Sequence, residues 1–199
     1  ALTIEYKHLH QRAPGGVYVL PSYDNIRIWC GAIFLRQGLY RDGVFKFKIL
    51  IPDDYPVDGA RPRVVFSTEV FHPLVDPMTK ELDLSKRFPK WIDGRDYLIH
   101  VLTYVKKIFY LKTYDIENAV NKEAAEMFKR VDEESSEFMS RVNRCVQLSL
   151  STVYENDDDS SLSFSKSSPL HERYYEALTR RKRENAKRRE AKLFSGGGS

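Results

Sequence analysis

An α+β fold, built as a four-stranded antiparallel meander flanked by helices, follows from three features of the sequence. Four short stretches between Val17 and Ser67 read as strands joined by brief, turn-rich connections. Two later stretches, beginning near Leu98 and Asn121, repeat apolar residues at helical spacing. A run of strands followed by a run of helices points to segregated layers rather than to alternating βαβ units.

Each element has its own signal. Residues 1–12 can form a short helix with Leu2, Tyr6 and Leu9 on one face, ended by Pro14-Gly15-Gly16. Val17–Leu20 is the first strand and Pro21–Asn25 its turn. Ile26–Leu35 alternates, with Ile26, Ile28, Cys30, Ala32 and Phe34 on one face. After a turn over Gln37–Gly43, Val44–Ile51 alternates more cleanly. Phe45, Phe47, Ile49 and Ile51 face the core, and Lys46 and Lys48 face water. Pro52–Pro62 is a loop, and Arg63–Ser67 is a fourth, short strand. Phe71–Gly94 holds prolines at 73, 77 and 89 and sustains no period; so long an irregular segment inside a domain is usually functional. Asp96 is the expected N-cap of a helix carrying Leu98, Val101, Leu102, Val105, Ile108 and Phe109. A last helix starts at Asn121 and runs to about Leu150 with a kink near Ser135-Ser136. Its buried stripe is Ala124, Phe128, Val131, Phe138, Val142 and Cys145.

Composition divides the rest. Residues 1–150 read as one domain. Residues 151–169 are acidic and serine-rich and read as a flexible linker. Residues 170–194 hold nine Lys/Arg against four Glu and read as a basic helical tail, with Leu170, Tyr174, Ala177 and Leu178 on one face. The run at 195–199, SGGGS, reads as an appended linker. With 12 Tyr and 11 Phe there is ample material for a core. No run of eighteen apolar residues exists, so membrane insertion is not expected, and the first residues lack the apolar run of a signal peptide. The two cysteines, Cys30 and Cys145, sit among apolar neighbours and form no CxxC pair. That argues for a reducing compartment and against a zinc site or a disulfide framework.

The order of elements and several short motifs resemble the ubiquitin-conjugating fold. Ile51-Pro52-Asp53-Asp54-Tyr55-Pro56 is similar to the F-P-x-x-Y-P turn of that family, and Pro62 with Arg63-Val64-Val65-Phe66 to the proline and strand that follow it. Phe71-His72-Pro73-Leu74 resembles the region of the H-P-N tripeptide, with Leu74 where asparagine belongs, and Trp91 lies where the family places a tryptophan. GVYVLPSY, GLYRDGVFKFKILIPDDYP and VFHPLVDPMTKELDL are similar to one branch, the inactive ubiquitin-conjugating-enzyme variants of the AKT-interacting protein (Fused toes) family, whose insect relative is Pendolino. The resemblance covers residues 1–150. It implies a non-catalytic scaffold whose partners are Hook-type adaptors and an FHIP-like protein in a dynein-linked trafficking complex, or telomere-associated proteins. It also implies a location in cytoplasm and nucleus, with no cofactor and no small-molecule substrate. The alternative is a ubiquitin-binding cofactor of an active conjugating enzyme.

The residues agree with a degenerate site at His72, Pro73, Leu74, Glu81, Leu82 and Asp83. Transfer of ubiquitin from a thioester needs a thiolate nucleophile and a donor for the oxyanion. In the family the cysteine lies about ten residues after the histidine, which here is Leu82, or Glu81 if the loop is one residue shorter. Leu74 has no side-chain donor. His72 reads as a structural histidine, and Asp76, Glu81 and Asp83 as loop carboxylates rather than metal ligands. Tyr104, Phe109, Tyr110 and Tyr114 could be core or contact residues. In the tail, Leu170, Tyr174 and Leu178 are candidate partner-binding residues. The patch Arg180, Arg181, Lys182, Arg183, Lys187, Arg188 and Arg189 could bind nucleic acid, act as an import signal or form a solvated helix.

Overall fold

The structure, a computed structural model, describes residues 2–130, 137–156 and 160–195, with the backbone alone for 10, 11, 182 and 186–195. Two compact units divide at Phe164–Ser165. In the first, helix α1 (Leu2–Arg12) precedes strands β1 (Val17–Pro21), β2 (Ile28–Phe34), β3 (Val44–Leu50) and β4 (Arg63–Phe66). These form one antiparallel sheet in the order β1-β2-β3-β4. Helices α2 (Leu98–Ile108), α3 (Lys122–Phe128) and α4 (Glu137–Ser151) follow the long irregular segment. The chain thus has the α+β architecture of four meander strands and flanking helices that the alternation requires.

Register explains which side chains enter the core. Gly31 lies opposite Phe47 and Ile33 opposite Phe45, so these residues share the inner face. A Cβ on Gly31 would meet the Phe47 ring at 2.4 Å, so the glycine makes room for the aromatic. Phe45 stacks on Phe109 just past α2, with centroids 5.4 Å apart, and Phe47 meets Phe66 edge to face at 6.2 Å. Of the four aromatics left open in the sequence, Phe109 and Tyr104 are core, Tyr114 is half-buried and Tyr110 is exposed. The period-2 reading of β3 is correct for Phe45, Phe47 and Ile49. Lys46 is not simply solvated, because its ammonium donates to the Glu155 carbonyl and lies 5.9 Å from the Phe164 ring centroid.

Helix α2 starts differently from expectation. Its N-cap is Tyr97, not Asp96. The buried Asp96 carboxylate accepts instead from the Ile92 N–H at 3.0 Å and pairs with Arg95 at 2.6 Å. The first free amide of α2, Leu98 N–H, donates to Glu5 Oε2 of α1 at 2.8 Å, and the other Glu5 oxygen accepts from Tyr55 O–H at 2.5 Å. One carboxylate thus ties α1, the turn at Tyr55 and the positive end of α2 together. Asn121, where the sequence places the start of a helix, is the N-cap of α3, accepting from Ala124 N–H at 3.0 Å. The single helix expected from Asn121 to Leu150 is two, α3 and α4. Val131 and the kink at 135–136 lie outside the described residues. Ala124, Phe138, Val142 and Cys145 are buried as their spacing requires, and Phe128 is half-buried.

The second unit contains helix α5 (Pro169–Ser195), whose first turn is closed by Ser168 Oγ accepting from His171 N–H at 3.3 Å. No helix among the described residues is long and apolar enough to cross a membrane.

Candidate functional site

The irregular segment is organised around His72, which is 0% exposed. Its Nδ1 accepts the Leu74 N–H at 3.0 Å. Its Nε2 lies 3.1 Å from both the Ile108 carbonyl and the Tyr114 hydroxyl. A ring nitrogen that accepts from an amide carries no proton, so the proton sits on Nε2 and points to the end of α2. Burial holds the imidazole neutral and pushes its pKa down to about 4, opposed by the Ile108 carbonyl. His72 therefore ties the loop to the end of α2 and to Tyr114 in the segment that follows it, and both nitrogens are engaged. Pro73 extends the tie, because its carbonyl accepts from Asn121 N–H at 3.1 Å, at the cap of α3.

Leu74 is 5% exposed and belongs to the hydrophobic core. Its carbonyl accepts from Asp83 N–H at 2.8 Å, and Val75 pairs with Leu82 as an isolated antiparallel bridge. The structure thus brings the His72-Pro73-Leu74 and Glu81-Leu82-Asp83 motifs side by side. Alternation then sends the two candidate positions opposite ways. Leu82 is 1% exposed and part of the core, whereas Glu81 faces outward. Glu81 bridges Val65 of β4 and pairs through its side chain with Arg63 of the same strand, whose guanidinium reaches both carboxylate oxygens, through Nε at 3.0 Å and through Nη2 at 2.6 Å. This planar two-point pairing is the geometry that fixes an arginine and a carboxylate best.

A groove of about 590 Å³ opens over this pair, with Asp76, Asp83 and Lys90 at its edges and Trp91 in its wall. Its other carboxylates serve the loop. Asp76 Oδ1 accepts from Met78 and Thr79 N–H, both at 2.8 Å, and these bonds hold its pKa below the usual carboxylate value. Asp83 Oδ1 accepts from Ser85 N–H at 2.8 Å. Among the described residues no group of three His, Cys, Asp or Glu is arranged to hold a metal ion.

Both thiols of the chain are buried and free. Cys145 Sγ accepts from Phe71 N–H at 3.3 Å, next to the His72 loop, and burial pushes its pKa up. Cys30 lies on β2 among outward-facing residues of the sheet. The Phe71–Cys145 contact joins residues 74 apart in sequence and has no local signature. The same is true of Arg63, which sequence reading left as a strand residue.

In the second unit Leu170, Tyr174 and Leu178 recur every fourth residue along α5 and are exposed. Arg180, Arg181 and Arg183 are exposed on the same helix. The side chains of Lys182, Lys187, Arg188 and Arg189 lie outside the described residues, although their backbone is helical.

Comparison with known proteins agrees with this architecture. The ubiquitin-conjugating enzyme family model matches residues 1–146. AKT-interacting protein of Danio rerio is 44% identical over 179 residues, covering 88% of this chain and 59% of the relative. Protein crossbronx homolog of Culex quinquefasciatus is 41% identical over 156 residues, covering 76% of this chain and 65% of the relative. AKT-interacting protein homolog A of Xenopus laevis is 40% identical over 190 residues, covering 94% of this chain and 62% of the relative. The chain therefore spans less than two thirds of the length of these curated relatives. With the sheet order, the helices and a family match to 146 of its 199 residues in agreement, the chain belongs to the ubiquitin-conjugating enzyme family.

Proposed function

We propose that this protein is a non-catalytic variant of the ubiquitin-conjugating fold that acts as a protein-binding scaffold. The observation that carries the reading is the pair Glu81–Arg63. The groove-facing position of the Glu81-Leu82 alternatives carries a carboxylate locked to a guanidinium, not a thiol. An ionised carboxylate paired in this way is a poor nucleophile, and its negative charge opposes a second negative charge developing on an attacked carbonyl. Leu74, in the place of an oxyanion donor, is committed to the core. The two thiols are buried, and the Cys145 thiol is held protonated by that burial.

The relatives named AKT-interacting protein support a role in binding proteins rather than small molecules. In this reading the partners are Hook-type adaptors and an FHIP-like protein in dynein-linked trafficking, or telomere-associated proteins, in the cytoplasm and nucleus. The α5 stripe Leu170, Tyr174 and Leu178 is the candidate contact, and the basic run after it could meet nucleic acid. The test is to express the tagged full chain in cells and identify what co-purifies. Hook-type and FHIP-like proteins should be recovered, and Tyr174→Asp should deplete them. Recovery of an active conjugating enzyme with ubiquitin, and of no adaptor, would overturn the scaffold reading in favour of a ubiquitin-binding cofactor.

A further inference from the structure

The outer face of the sheet is occupied by the chain itself. Alternation places Cys30, Ala32 and Phe34 of β2 opposite Lys48, Lys46 and Val44 of β3, all pointing away from α2. Glu155, Asn156 and residues 160–164, read from composition as part of a flexible linker, lie against this face. Phe164 meets Phe34 edge to face at 5.9 Å, and Phe34 in turn meets Tyr18 of β1 at 5.5 Å. The Lys46 ammonium lies over the Phe164 ring and also donates to the Glu155 carbonyl, so one lysine grips both ends of the return segment. Asn156 closes the loop, donating to the Phe164 carbonyl at 3.1 Å and accepting from the Phe164 N–H at 3.0 Å. Leu162, half-buried, lines cavities on both sides of Val44, one of about 130 Å³ and a wider one of about 860 Å³.

Two properties mark this as a seated ligand rather than a packed core element. The charges are complementary: the stretch of sequence that leads to Phe164 is acidic, while Lys46, Lys48, Arg36 and Lys106 belong to the face and the groove rim. The anchoring is also sparse. Leu162 and Phe164 are only half-buried, Ser163 is exposed, and the wider groove remains open beside the aromatic. Few buried apolar contacts are a mark of a segment that opens at low cost.

We propose that the outer face of the sheet, around Phe34 and Lys46, is a docking site for a short acidic peptide with an aromatic anchor, held closed in cis by Phe164 and its neighbours at 160–163, clamped by Asn156. The segment acts as a tethered competitor. A tether this short gives a high effective concentration, so an incoming peptide sees only the fraction of molecules in which the site is open. Anything that loosens the tether raises apparent affinity for the same peptide in trans. This site lies on the opposite side of the sheet from the core face and does not depend on the reading of the Glu81 groove.

The test uses the full chain and one probe, a fluorescein-labelled peptide with the sequence of residues 153–168, read by anisotropy. Phe164→Ala should empty the site and bind the probe at least about tenfold more tightly than the wild type. Asn156→Ala, which leaves the anchor but opens the clamp, should fall between the two. A probe carrying alanine for Phe164 should not bind, and adding Lys46→Glu to the Phe164→Ala chain should abolish binding. Circular dichroism verifies that each variant is folded. Equal affinity of wild type and Phe164→Ala, no binding by a folded Phe164→Ala chain, or equal binding of the probe without its aromatic would each overturn the proposal.

Discussion

Acidification should weaken this fold through one residue, His72. The imidazole is fully buried, and its folded-state pKa is about 4 against an ordinary value of 6.5. Between those values the unfolded chain binds a proton that the folded chain refuses, so stability is complete above about pH 6.5 and falls as pH drops towards 4. Each pH unit in that window costs about 1.4 kcal/mol, and at about pH 5 the loss from this group is about 2 kcal/mol. That is a sizeable part of the roughly 5–15 kcal/mol that holds a domain folded. Urea melts of the wild type and His72→Gln at neutral pH and at about pH 5 isolate the effect. The wild type should lose about 2 kcal/mol more than the variant across that interval, even if the variant starts lower for want of its bonds to Leu74 and Ile108. The imidazole of the folded wild type, followed by NMR, should not titrate between pH 7 and 5. A His72 resonance titrating near its ordinary value, or equal acid losses in both proteins, would refute the assignment of a buried, neutral, doubly engaged ring.

Three other outcomes follow from the packing. Phe47→Ala should cost about 3–5 kcal/mol in thermal or urea melts, because it empties the space between Gly31 and Phe66. Glu5→Ala should cost about 1–2 kcal/mol by the same measurement, since it removes the acceptor for the first amide of α2 and for the Tyr55 hydroxyl. Leu82→Cys should give a thiol that resists maleimide until the protein is unfolded, whereas Glu81→Cys should label in the native state. Equal labelling would mean that the faces assigned to Glu81 and Leu82 are reversed.

Local pattern made most of the fold readable. Period-2 alternation in β3 and the i, i+3, i+4 stripe of α2 each point one face at a single core, and Asn121 has only its own helix to cap. Reading fails where the deciding partner is far along the chain. Asp96 has the right chemistry for a cap, but Ile92 and Arg95 hold its carboxylate, and the group that meets Leu98 N–H is Glu5, 93 residues away. The choice between Leu82 and Glu81 turns on two isolated bridges, Val65 to Glu81 and Val75 to Leu82, which join residues distant in sequence and set which side chain faces the core. The acidic, serine-rich stretch after α4 hides its aromatic anchor, because composition averages over a window while a single ring, Phe164, meets Phe34 and Lys46.

The proposal that this chain is non-catalytic is tested most directly by loading. The purified full chain is incubated with ubiquitin-activating enzyme, ATP and ubiquitin, then resolved on a gel with and without reductant. With Glu81 locked to Arg63 and both thiols buried, the account predicts no reductant-sensitive ubiquitin adduct on this chain, while an active conjugating enzyme in the same mixture is charged. An adduct that reductant releases and that Cys30→Ala or Cys145→Ala abolishes would contradict it.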